Sequence, residues 1–150
     1  MTAGLIGLAG VLLGVALTGA VSWWLEHQRR RKSAEVSARL VADDFENVLA
    51  AGQLIQRRGN WIDREAGDQF LTIDQWREER KSLAARLTAD EWTAVAIGAQ
   101  AILGFATDHR RRVDAGTLSD PPTPGELEGL GIVDQKLGAG LAVLREYRGK

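Results

Sequence analysis

The sequence contains no cysteine, only two histidines, three prolines, one tyrosine and one methionine in 150 residues. Without cysteine there can be no disulfide, no thiolate metal ligand and no thiol nucleophile. His27 and His109 lack the neighbouring ligands at helical spacing that a metal site requires, so neither is expected to bind metal or to catalyse. The paired acids Asp43-Asp44 and Glu78-Glu79 fall about 100° apart on a helix and cannot converge on one bond, so solvated faces are expected. Phosphate-cradling G-x-x-x-x-G-K-[ST], dinucleotide-binding G-x-G-x-x-G after a strand, and G-x-S-x-G elbows are also missing. The expectation is a protein that is not an enzyme and carries no cofactor.

Positive charge is not in excess either. The formal net charge is −1, and because Arg29, Arg30, Arg31 and Lys32 cluster near the start, residues 33–150 are mildly acidic. A nucleic-acid partner is therefore not expected, since phosphate binding needs a concentrated basic surface. Arginine far outnumbers lysine and glycine is frequent, a bias that weakens arguments from any single glycine. No stretch alternates polar and apolar residues long enough to make a strand, so the fold class is all-α.

What the chain does have is an uncharged run from Ala3 to Leu25, ending in Trp23-Trp24. As a helix it would be roughly 34 Å long, enough to cross a hydrocarbon core of about 30 Å. No Lys or Arg precedes it, and four follow at once, so the positive-inside rule predicts a single span with the carboxy-terminal side in the cytoplasm. Trp23 and Trp24 suit an aromatic belt, and Arg29, Arg30, Arg31 and Lys32 suit contact with anionic headgroups. A cleaved signal peptide fits less well, because the run is too long and the charge lies on the wrong side. The predicted organisation is a transmembrane helix over 3–25, a basic juxtamembrane collar over 26–32 and a cytoplasmic helical domain over 33–150. The expected location is the inner (plasma) membrane.

One sector of the span collects small residues. Gly7, Gly10, Gly14, Thr18 and Ser22 share a face, and Gly10 and Gly14 form a G-x-x-x-G pair, so two backbones could approach closely there. Helix association, with a second copy or with another membrane protein, is the expected use of that face.

The soluble part shows four helical patterns. Ala34, Ala38, Val41, Phe45, Val48, Gly52 and Ile55 repeat at three-and-four spacing over about 27–58, with Arg57 and Arg58 at the negative dipole end and Gly59 as cap. An internal echo follows: Leu71-Thr72-Ile73-Asp74-Gln75-Trp76 and Leu87-Thr88-Ala89-Asp90-Glu91-Trp92. Each copy reads as a helix start, with threonine as N-cap and Gln75 or Glu91 closing a capping box. The helices so begun are expected near 73–86, with Trp76, Leu83 and Leu87 inward, and near 89–112, with Trp92, Val95, Ala96, Ala99, Ile102, Leu103 and Ala106 inward. With no loop between Leu87 and Thr88, the two are expected to form one arm kinked near Thr88.

The prolines all lie in 120–124, where Thr123, Pro124 and Glu126 predict the start of a last helix running to Tyr147. Its inward stripe is Leu127, Leu130, Val133, Leu137, Leu141 and Leu144. Gly129, Gly131, Gly138 and Gly140 each lower helix propensity, and a close approach to a neighbouring helix would account for them. Arg110, Arg111 and Arg112, beside His109, complement the dipole at a helix end, or reach the same leaflet if the arm returns to the membrane.

Anchor, collar and helical tail resemble the layout of many short membrane proteins of GC-rich bacteria, a likeness that carries no activity. The function expected is protein–protein interaction, as a scaffold, adaptor or regulatory subunit. A small-molecule sensor with a pocket among Trp61, Trp76 and Trp92 is one alternative, and a membrane-active lysis or toxin protein that oligomerises through its span is another.

Overall fold

The computed structural model describes residues 2–148, and the side chains of all of these except residues 2–17, 19, 27, 29–31 and 148. Every regular element is helical: α1 (Thr2–Arg58), α2 (Arg64–Phe70), α3 (Asp74–Ala84), α4 (Ala89–Ala115) and α5 (Pro124–Arg148). The chain divides into two compact units, Met1–Ser33 and Ala34–Lys150.

In the first unit Val21, Trp23, Trp24 and Leu25 are all exposed. Among the described residues no helix is long and apolar enough to cross a membrane. The proposed span over 3–25 falls mostly on residues 3–17 and 19, whose side chains lie outside the described residues.

The second unit is built on the stripe that the sequence predicts for α1. Ala34, Ala38, Val41, Phe45, Val48 and Ile55 are buried, and Gly59, at φ 66°, ends the helix with its N–H on the carbonyl of Ile55. That left-handed conformation is one glycine adopts without steric penalty. α4 and α5 pack along each other, and α2 and α3 lie against α4. Phe45 closes the α1–α4–α5 junction. A Cβ built on Gly98 of α4 would lie 2.5 Å from its ring, and one on Gly140 of α5 would lie 2.7 Å from it. Two missing side chains on two helices thus make a slot for one aromatic ring.

Close approach explains Gly140, but it does not explain Gly129, Gly131 or Gly138, which face open space. Leu127 is exposed, not inward, whereas Leu130, Leu137, Leu141 and Leu144 are buried as the stripe requires. The α5 start is as predicted: Glu126 accepts the N–H of Thr123 at 2.7 Å and returns its own N–H to the threonine hydroxyl at 3.3 Å.

The two copies of the echo differ. Thr88 caps α4 in a complete capping box with Glu91. Thr72 caps nothing: the N-cap position of α3 is Ile73, with no side-chain bond from its own segment. The Asp44 carboxylate, reaching over from α1, accepts the N–H groups of Gln75 at 3.1 Å and Trp76 at 3.4 Å instead. A tertiary contact replaces the local one, so the Thr72–Gln75 capping box is corrected.

The kinked arm is also corrected. In one arm, sixteen residues would separate Trp76 from Trp92 by roughly 24 Å. Their rings instead stack at 5.0 Å and 26°. Leu83 receives the N–H groups of both Arg86 and Leu87 on its carbonyl, which closes α3, and the extended backbone of Thr88 turns the chain back. The reversal buries Leu83, Leu87 and Trp76 together.

Candidate functional site

Of the predicted membrane-interface residues, Trp23, Trp24 and Lys32 are exposed, as are Thr18 and Ser22 of the small-residue face. Gly7, Gly10 and Gly14, together with Arg29, Arg30 and Arg31, lie outside the described side chains. The three tryptophans proposed as one pocket separate into a stacked pair, buried Trp76 and half-buried Trp92, and a distinct centre around Trp61.

Trp61 sits in the short connection between Gly59 and α2, whose N-cap Asp63 accepts the N–H of Ala66 at 2.7 Å. Its ring tilts at 46° against Phe105, 6.2 Å between centroids, and at 51° against His109, 6.5 Å away. On it rests the guanidinium of Arg112, 4.7 Å from the ring centroid. Arg112 in turn grips Glu126 with bonds of 2.6, 2.7 and 2.9 Å and donates to the carbonyl of Thr117 at 2.9 Å. One arginine therefore ties the α1–α2 connection, the end of α4 and the start of α5. It also holds the Glu126 carboxyl below the ordinary glutamate range, helped by the Thr123 N–H. Of the Arg110–Arg112 cluster expected to complement the dipole of a helix end, Arg112 lies in the last turn of α4 and is half-buried, while Arg110 and Arg111 are exposed.

His109, expected at a basic helix end, is buried. Its Nε2 lies 3.0 Å from the carbonyl oxygen of Ile62, and because a carbonyl can only accept, Nε2 carries the proton. Gly67 of α2 presses directly on the imidazole, and any Cβ there would overlap it. The Asp43-Asp44 pair divides likewise: Asp43 is exposed, whereas Asp44 is buried against α3. Burial pushes the Asp44 carboxyl up to about 6 against the two N–H bonds that lower it, with nearby Asp74 and Asp43 adding to the rise. Glu79, expected in solvent, accepts the buried Ser37 hydroxyl at 2.5 Å.

Two depressions flank the second half of α4. A cleft of about 660 Å³ lies between α4, α2 and the start of α3, with His109, Arg64, Arg77 and Arg110 on its walls. Arg64 and Arg77 have acidic neighbours at 3.9 and 3.6 Å, both pairs exposed and so contributing little. A groove of about 560 Å³ runs between α4 and α5, lined by Trp61, Phe105, Ile97, Leu130 and Val133 with Lys136 beside them. Among the described residues no group of three or more His, Asp or Glu side chains is placed to hold a metal ion. The groove and the cleft offer apolar surface and cationic side chains.

Sequence reasoning passed over Trp61, Phe105 and Arg112 as a cluster because Trp61 lies outside every helical repeat. Only the three-residue gap between the Gly59 cap and the Asp63 cap marks its connection as tightly held. The chain matches no protein-family model, and comparison with curated proteins and with solved structures returned no match.

Proposed function

We propose that this chain is a membrane-anchored helical binding module, a scaffold, adaptor or regulatory subunit, held at the inner membrane by one span over 3–25 with the bundle on the cytoplasmic side. The exposure of Trp23, at 70%, and of Trp24, at 54%, next to Val21 and Leu25, supports this reading. Large, exposed apolar side chains at 21, 23, 24 and 25 fit a lipid environment, with the indoles at headgroup level. The basic residues 29–32 fit the anionic cytoplasmic leaflet. The bundle presents a cleft and an apolar groove with cationic side chains on their walls, features suited to binding.

The absence of cysteine makes topology simple to test. A single cysteine placed at Ser119, an exposed loop position, is expected to resist a membrane-impermeant maleimide in intact cells and to react after lysis. One placed at Thr2 is expected to react in intact cells. Recovery of the protein in the salt-washed soluble fraction, or the opposite labelling pattern, would reject the anchored reading. Crosslinking in intact membranes then distinguishes self-association from capture of a partner, and replacing Gly10 and Gly14 together by isoleucine is expected to reduce whichever contact is found.

A further inference from the structure

We infer that the groove between α4 and α5 is a binding site for a small apolar carboxylate. This inference is independent of the membrane anchor. The volume, about 560 Å³, lies within the range of small-molecule sites. Its walls combine the aromatic rings of Trp61 and Phe105 with Ile97, Leu130 and Val133. Ile97 is 45% exposed, so part of this apolar surface has no cover from the protein. Gly104, Gly125 and Gly129 also line the groove, and a Cβ on any of them would meet nothing within 4 Å. Their effect is to keep the groove open.

Two polar features specify the ligand. The Nε1–H of Trp61 is buried and has no hydrogen-bond partner. A buried donor left unpaired costs free energy, and a ligand oxygen that reaches it as the side chains over the indole part would supply the missing acceptor. The charges on the groove are the second feature. Glu126 is held by Arg112 at 2.6 Å, and Asp108 faces Arg111 at 3.2 Å as an exposed pair. Lys136, also on the groove, is left as the cation without an ion pair among the described residues. An acceptor for an indole N–H, a negative charge for Lys136 and an apolar body for the remaining walls together describe an aromatic or aliphatic monocarboxylate.

The test uses ¹⁵N-labelled full-length protein, in lipid nanodiscs and in lipid-free buffer, titrated with 1-naphthoate and, separately, with neutral 1-naphthamide, while the tryptophan indole signals are followed. Trp61→Phe assigns the Trp61 signal by its disappearance. The expected result is a saturable shift of that signal with 1-naphthoate, with the Trp76 and Trp92 signals unmoved and the amide binding more weakly. Gly129→Leu fills the groove from an open position and is expected to abolish the shift while leaving the helical content and the Trp76–Trp92 signals intact. Lys136→Gln is expected to weaken 1-naphthoate by roughly threefold to tenfold and to leave 1-naphthamide unchanged. No saturable shift with 1-naphthoate, or one that survives Gly129→Leu, would overturn the site. Equal affinities for acid and amide would overturn the carboxylate assignment.

Discussion

The Asp44 carboxylate accepts the backbone N–H of Gln75 at 3.1 Å and so caps α3 from a different helix. Its folded-state pKa of about 6, above the usual aspartate value, means that the native protein holds this proton more tightly than the unfolded chain. Stability from this group is therefore fully present below about pH 4 and is lost as pH rises through about 6. Asp44→Asn keeps an oxygen acceptor and removes the titration. The variant is expected to exceed the wild type by roughly 1–3 kcal/mol at pH 7.5 and to match it near pH 4, as measured by chemical denaturation at the two pH values.

Glu126 works in the opposite sense. Its carboxyl is held low by Arg112, so its contribution is present above the unfolded value and is lost as pH falls through the lowered folded one. Glu126→Gln removes the ion pair and weakens the α5 capping box. The expected loss is about 1 kcal/mol at pH 7, shrinking below about pH 4, where the wild type loses the same interactions.

Such contacts mark the limit of what the sequence discloses. The stripe Ala34 to Ile55, the Thr88–Glu91 and Thr123–Glu126 capping boxes and the Gly59 stop are legible because each is written in residues within a turn or two of one another. α2, with seven residues, is too short to show a helical repeat. Asp43 and Asp44 are chemically identical neighbours, as are Arg110, Arg111 and Arg112. Which one turns inward depends on about 100° of helix rotation set by distant packing. The Trp61 groove needs α4 and α5 side by side before it exists at all.

Glycines divide by the same tertiary criterion. Gly98→Ala and Gly140→Ala each place a methyl group within 2.5 and 2.7 Å, respectively, of the fully buried Phe45 ring, which cannot retreat because the other glycine's helix backs it. Each is expected to cost about 1–3 kcal/mol despite the gain in helix propensity. Gly138→Ala meets nothing within 4 Å and is expected to stabilise by up to about 1 kcal/mol. Thermal unfolding of the three variants side by side checks the sign in each case, and a stabilised Gly98→Ala would contradict the Phe45 slot.

The echo supplies the sharpest contrast between local code and tertiary outcome. Leu71-Thr72 and Leu87-Thr88 are matched in sequence, yet only Thr88 receives an N–H, that of Glu91 at 3.3 Å, while the first turn of α3 turns to Asp44. Thr88→Ala is expected to cost about 1 kcal/mol through the lost cap. Thr72→Ala, with no cap to lose, is expected to stay within about 0.5 kcal/mol of the wild type. Asp44→Ala leaves the Gln75 and Trp76 N–H groups without their acceptor and is expected to loosen the start of α3, seen as faster amide exchange at those two residues. If Thr72→Ala instead proved as costly as Thr88→Ala, the threonine would be capping α3 after all, and the cap supplied by Asp44 would be secondary.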